Sequence, residues 1–182
     1  MAQPRPARLW QADLEVIGIR RARPADAGRL TEIAMAAKAS WGYPASFMAR
    51  CRAALAVDAA MIGIREFHLA EDESDILGFY GFEAEPDGVG LSHMFVLPEA
   101  SGRGIGRLLW DHAVEQARKQ GAAALIAVSD PNAAGYYARM GATPAGSRPS
   151  EIDPARPLPI YRLRLSPSSG KPTGSSRPSA SR

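Results

Sequence analysis

Three glycines at alternate positions, Gly102, Gly104 and Gly106, stand in the stretch SHMFVLPEASGRGIGRLL. Glycine has no Cβ, so an anion can approach the backbone N–H groups of such a segment. Behind it, Ile105, Leu108, Leu109, Ala113 and Ala117 recur at the spacing of one helical face. A helix there directs its free first-turn N–H groups and the positive end of its dipole at the loop. Loop and helix together make a cradle for phosphate or pyrophosphate, with Arg103 and Arg107 able to add charge at its rim. Two common phosphate motifs do not fit. A P-loop needs Lys and then Ser or Thr after its last glycine, where Arg107 and Leu108 stand. A dinucleotide fingerprint needs GxGxxG, and the spacing here is GxGxG.

The elements that position this cradle follow from the flanking patterns. Residues 94–97 are an apolar run of strand length, ended by Pro98 because proline cannot donate to a sheet ladder. Gln120 and Gly121 close the helix. Residues 123–129 are the next apolar strand. Asp130 is an N-cap type, Pro131 suits a first helical position and Gly141 suits a stop, which predicts a short helix over 132–140. Upstream, residues 15–21 suggest a first strand, and Pro24 opens a helix that buries Leu30, Ile33, Ala34 and Ala37. Gly42 breaks that helix, and Pro44 starts another through Phe47, Met48, Cys51 and Leu55. Residues 62–70 and 75–83 read as antiparallel strands around an acidic turn, and Pro86-Asp87-Gly88 turns the chain into a strand over 91–97. Residues 144–159 read as a proline-rich loop, and the alternation over 160–165 as a last, edge-proximal strand. Three antiparallel strands followed by strand, helix and strand give a mixed sheet.

The length of 182 residues suits one domain with tails. The expected division is a disordered tail over 1–14, a domain over 15–165 and a disordered Ser/Pro-rich tail over 166–182. Five of the 22 basic residues and one of the 19 acidic residues lie in those two tails, so the net charge of +3 becomes −1 for the domain. That balance carries no nucleic-acid footprint. No apolar run is long enough for a membrane span, and no signal-peptide core is present. The single cysteine, Cys51, forms no internal disulfide and suits a reducing cytoplasm. It reads as a small helix residue and not a nucleophile.

Two motifs carry a resemblance to a known family. VLPEASGRGIGRLL resembles the acetyl-coenzyme A loop of the GNAT N-acetyltransferases, usually Gln/Arg-x-x-Gly-x-Gly/Ala. Gly104 and Gly106 match its glycines, and Ser101 departs from its Gln/Arg. DPNAAGYYARMGA resembles the family's later Asn, Tyr and Gly pattern, with Tyr137 on the tyrosine and Asn132 nearer to it than usual. The resemblance covers roughly residues 16–165. It implies an α/β (mixed α+β) fold, a mostly antiparallel sheet of about six to seven strands flanked by about four helices.

The resemblance further implies an acetyl-CoA-dependent N-acetyltransferase acting on a primary amine of a small molecule or peptide, without a metal. The backbone of Met94, Phe95, Val96 and Leu97 would pair with the pantetheine arm. Gly102, Arg103, Gly104, Ile105, Gly106 and Arg107 would hold the pyrophosphate, with Asn132 nearby. Tyr137 would serve the leaving sulfur as general acid or hydrogen-bond donor. The general base is open: His93, on the strand before the loop, has a suitable ordinary pKa, and Glu83 and Glu85 on the preceding strand are alternatives acting through water. Trp41 and Tyr43, between the first two helices, are expected in the acceptor pocket, together with Glu83. An exposed edge strand in such a fold allows pairing into a homodimer. A non-catalytic acyl-CoA-binding module on the same fold is the competing reading, and a nucleotide-binding protein a third.

Overall fold

The computed structural model describes residues 17–166. The tail over 1–14, the start of the first strand and nearly all of the tail over 166–182 lie outside the described residues. In chain order the elements are β1 (Gly18–Arg21), α1 (Ala27–Ala39), α2 (Ala45–Leu55), α3 (Ala59–Ile64), β2 (Phe67–Glu71), β3 (Ile76–Glu85), β4 (Gly88–Val96), α4 (Ile105–Lys119), β5 (Ala124–Val128), α5 (Ala134–Arg139), β6 (Thr143–Pro149) and β7 (Pro157–Arg164). The strands form one seven-stranded sheet in the order β1-β2-β3-β4-β5-β7-β6. Every pairing is antiparallel except β4 with β5, which α4 connects. This is the mixed, mostly antiparallel sheet expected from the sequence. No described helix is long and apolar enough to cross a membrane.

The sheet has a core on each face. On one, α4 sets Leu109, Trp110 and Ala113 against Leu77, Tyr80 and Phe82. On the other, α1 sets Leu30 and Ile33 against Phe67, Leu69 and Phe79. The helix signals act as physics predicts: Leu30, Ile33 and Ala34 are the buried stripe of α1, and Gly42, at φ +74°, follows its end. Apolar residues at one face of α4 bury Ile105, Leu109, Trp110, Ala113, Val114 and Ala117.

Two stretches differ from the sequence expectation. Residues 62–70 do not form one strand. Asp58 caps α3 by accepting a hydrogen bond from the Met61 N–H at 2.6 Å, and the strand starts only at Phe67. Residues 144–159 are not wholly a loop. Thr143–Pro149 forms the edge strand β6, exposed throughout, and pairs with β7 alone. Pro144 and Pro149 are compatible with an edge because an edge strand needs donors on one side only. β7 therefore lies one place in from the edge.

Candidate active site

The site is organised by a fault in the ladder of β4. Opposite β3, Gly81 faces His93 but Phe82 faces Leu91, so Ser92 is an extra, bulged residue. A bulge bends the strand that carries it. On its other side β4 pairs with β5 only from Val89 to Leu91. Beyond the bulge, residues 93–96 keep β3 on one side and have no strand partner on the other. The chain then passes through Pro98 into the glycine loop. Gly102 and Gly104 adopt φ of +82° and +85°, and a Cβ at Gly102 would project into open space. Such backbone is costly for other residues, so these glycines are needed for conformation as well as for access. Gly104 is the N-cap of α4, and the Leu108 N–H donates to its carbonyl at 3.0 Å. The N–H groups of residues 105–107 have no acceptor within the helix, as in any first turn.

A cavity of about 590 Å³ runs from this free edge to the loop. Met94, Phe95 and Val96 form one wall, Ser101 and Gly102 one end, and Asn132 and Tyr136 the far side. The Tyr136 hydroxyl donates to the Gly106 carbonyl at 2.7 Å, which ties α5 to the first turn of α4. Arg139 also lines this cavity and is a cation that sequence reading missed; its signal is its place one turn after Gly135 on α5. Arg103 and Arg107 are partly engaged elsewhere, Arg107 with Asp111 at 2.8 Å and Arg103 with Asp72 at 3.7 Å.

A second cavity, of about 350 Å³, opens on the other side of Phe95, which lines both. Glu83, Ser92, His93, Lys38, Asp130 and Arg156 are among its walls. Glu83 makes no hydrogen bond among the described residues, and Arg65 and Arg148 approach it no nearer than 3.9 and 4.0 Å. His93 is only 6% exposed, packed among Phe67, Phe79 and Phe95. Its Nδ1 meets the Ser92 hydroxyl at 3.1 Å, and its buried Nε2 has no partner. Burial, and then the Arg65 charge, pull the imidazole pKa down to about 4; the nearby Leu55 carbonyl opposes this weakly without completing a hydrogen bond. His93 is thus neutral at pH 7 and a poor proton acceptor, against its expected role as base.

Between the cavities lies a polar cluster. The Asp130 carboxylate takes an ion pair from Lys38 and another from Arg156 at 3.0 Å. It also accepts the Tyr43 hydroxyl at 2.9 Å and the Asn132 backbone N–H at 2.9 Å. The Tyr43 hydroxyl in turn accepts from Arg156 and from the Asn132 side chain, the latter at 2.8 Å. Burial works to raise the Asp130 pKa, but hydrogen bonds from Lys38, Asn132 and Arg156 outweigh it and hold it at about 2. Burial and then the bond to Asp130 push the Tyr43 hydroxyl up to about 12. Tyr43 therefore supports this cluster and lines neither cavity. Trp41, 46% exposed, lines the larger cavity and not the smaller, where it was expected.

The two adjacent tyrosines separate. Tyr136 faces the larger cavity, whereas Tyr137 is 6% exposed, stacked on Tyr161 and edge-on to Trp110. Burial raises the Tyr137 pKa, so it stays protonated through the neutral range. Its hydroxyl has no hydrogen-bond partner among the described residues.

Residues 44–151 match the family model described as an acetyltransferase (GNAT) domain, which is more than half of the chain. The chain belongs to the GNAT acetyltransferase family. No curated protein matches its sequence. Several solved GNAT structures share the fold. The ribosomal-protein-S18-alanine N-acetyltransferase from Escherichia coli is 21% identical, with a TM-score of 0.61 over 85% of this chain and 97% of that one. The PaiA N-acetyltransferase from Thermoplasma acidophilum, in complex with coenzyme A, is 19% identical, with a TM-score of 0.63 over 81% and 98%. A GNAT family acetyltransferase from Brucella melitensis, in complex with acetyl-CoA, is 24% identical, with a TM-score of 0.57 over 83% and 89%. At these identities the likeness is one of fold.

Proposed function

We propose that this GNAT protein transfers an acetyl group from acetyl-CoA to a primary amine by direct attack in a ternary complex. The observation that carries the reading is the meeting of two cavities at Phe95, beside the unpaired half of β4. One cavity ends at the glycine loop and the other holds an unbonded carboxylate, so two reactants can be held together at a shared wall, which is most of what such a reaction requires. Coenzyme A or acetyl-CoA bound in solved structures of similar fold supports the donor assignment.

The residues present fit acetyl-CoA, which supplies the activated acetyl group as a thioester. The free edge of residues 93–96 offers unpaired backbone groups to an extended amide-bearing arm, as an added strand would. Gly102, Gly104 and the first-turn N–H groups of α4 fit a pyrophosphate, and Arg139 adds charge along the groove. On the acceptor side, Glu83 takes the ammonium proton, directly or through water, because its carboxylate accepts no hydrogen bond among the described residues and His93 is held neutral by burial. Tyr137 is the proposed proton donor to the departing thiolate, because its raised pKa keeps the proton and its hydroxyl is uncommitted, although its ring lines neither cavity and Tyr136 faces the donor one.

Release of free thiol from acetyl-CoA in the presence of a panel of amines tests the reading. Amine-dependent release with matching N-acetyl product supports it. Tight CoA binding without turnover of any amine would favour a non-catalytic acyl-CoA-binding module.

A further inference from the structure

The acceptor-side cavity carries a charge imbalance that the proposed chemistry does not use. Lys38 and Arg156 both pair with one carboxylate, Asp130, and no other acidic group lies within 4 Å of either among the described residues. Both cations also flank the same aromatic rings: Lys38 Nζ lies 5.1 Å and the Arg156 guanidinium 5.1 Å from the centre of the Tyr43 ring. The side chains of Lys38 and Asp130 are 10% exposed, and that of Arg156 is 20% exposed. An excess positive charge so far from water is costly unless an anion meets it. Arg156 spends Nη2 on Tyr43 and Asp130. Its Nε–H and Nη1–H groups have no protein partner among the described residues, and it lines the cavity. The other charges around this cavity pair among themselves or stand apart, and none of their carboxylates comes within 4 Å of Lys38 or Arg156 among the described residues. Arg65 and Arg148 face Glu83, Arg148 also lies 3.8 Å from Glu85, and Glu151 makes no ion pair among the described residues.

We infer that the acceptor is a small amine that also carries a carboxylate, of the free amino-acid type, with the carboxylate on Arg156 and Lys38 and the amine toward Glu83. The planar fork of a guanidinium suits a carboxylate's two oxygens. A cavity of about 350 Å³ holds a molecule of that size. The inference rests on the acetyltransferase reading and narrows its acceptor: an amine inside a peptide backbone lacks the neighbouring carboxylate.

The test measures kcat/KM for matched acceptors with the full chain and acetyl-CoA: phenylalanine, phenylalaninamide and phenethylamine; leucine, leucinamide and isoamylamine; and taurine and 2-aminoethylphosphonate. Loss of a hydrogen-bonded charge contact predicts that each carboxylated amine exceeds its uncharged partners by about tenfold or more. Arg156→Gln narrows that ratio through KM for the carboxylated member. Arg156→Lys, which keeps the charge and loses the fork, restores part of it, and melting curves confirm that both variants fold. Stabilisation by N-acetylphenylalanine in the presence of CoA is read in parallel. Equal or better turnover of the uncharged amines overturns the inference and leaves the acetyltransferase reading intact. Preference for the sulfonate or phosphonate overturns the carboxylate assignment. No stabilisation by the acetylated acid, with CoA bound but no amine turned over, overturns the inference together with catalysis; no CoA binding at all overturns the function on which both stand.

Discussion

Gly104 separates backbone strain from anion binding at one position. It sits at φ +85° and ψ 0° as the N-cap of α4. Gly104→Ala therefore brings backbone strain. The left-handed region costs an ordinary residue about 1–2 kcal/mol. Each kcal/mol lowers Tm by roughly 2–4 °C in a domain of this size, so the alanine variant melts about 2–8 °C lower. Gly104→Asp starts from less strain, since Asp tolerates this backbone better. Its carboxylate also gains about 0.3–1 kcal/mol at the helix N-terminus. The aspartate variant should thus melt no lower than the alanine variant in the absence of ligand. With CoA the order reverses. The carboxylate occupies the N–H groups that the pyrophosphate needs and repels it. Losing one such charged hydrogen bond costs about 1.5–3 kcal/mol, which predicts a Kd for CoA weaker by roughly tenfold to a hundredfold or more than that of the alanine variant. Calorimetric titration of CoA into the three proteins, beside their melting curves, measures both. Equal CoA affinity for the Ala and Asp variants would refute the cradle.

Other expectations follow from the same geometry. Glu83→Gln should lower kcat by about 10²–10⁴-fold with CoA affinity kept; an unchanged kcat takes Glu83 out of proton transfer. Tyr137→Phe should lower kcat more than it changes KM for acetyl-CoA, and equal turnover would remove it from the chemistry. Stability should fall as pH drops from about 6.5 toward 4. Burial holds His68, which faces His112, Tyr80, Glu66 and Arg21, at about 4, and holds His93 at about 4 beside Arg65. In the unfolded chain both imidazoles take up protons near 6.5, whereas the folded ones resist until about 4. Each contribution is therefore full above 6.5 and lost below, up to about 3 kcal/mol apiece. His112, also lowered by burial, adds in the same direction. Urea midpoints between pH 7.5 and 4.5 measure the slope, and a flat profile contradicts the buried neutral histidines.

The strand, glycine loop and helix of the junction were legible because their signal is local: glycines, a terminating proline and a 3.6-residue stripe lie within one stretch of chain. The mixed, mostly antiparallel character of the sheet followed from strand and turn patterns of the same short range. What the sequence hid depends on distant partners. Lys38 and Asp130 are 92 positions apart, and Tyr43 and Arg156 are 113 apart, so no spacing announces their cluster. Tyr136 and Tyr137 are adjacent on a helix of six residues, and only packing against Trp110 and Tyr161 decides which ring is buried. The neutrality of His93 comes from three phenylalanines on three strands. Trp41 looked like an acceptor residue by its loop, but the end of α1 turns it to the larger cavity. The bulge at Ser92 left no residue-type signature at all, yet it frees the edge of β4 on which the donor assignment depends.

The most direct test of the paired-cavity account is a thermal shift of the purified protein with acetyl-CoA, CoA, ATP and NAD side by side. At 100 times its Kd a ligand of the folded state adds about 2.7 kcal/mol, so acetyl-CoA and CoA should raise Tm by roughly 5–10 °C while ATP and NAD do not match them. No shift with either coenzyme A form, or a larger shift with a nucleotide, would contradict the assignment of the glycine loop and the function built on it.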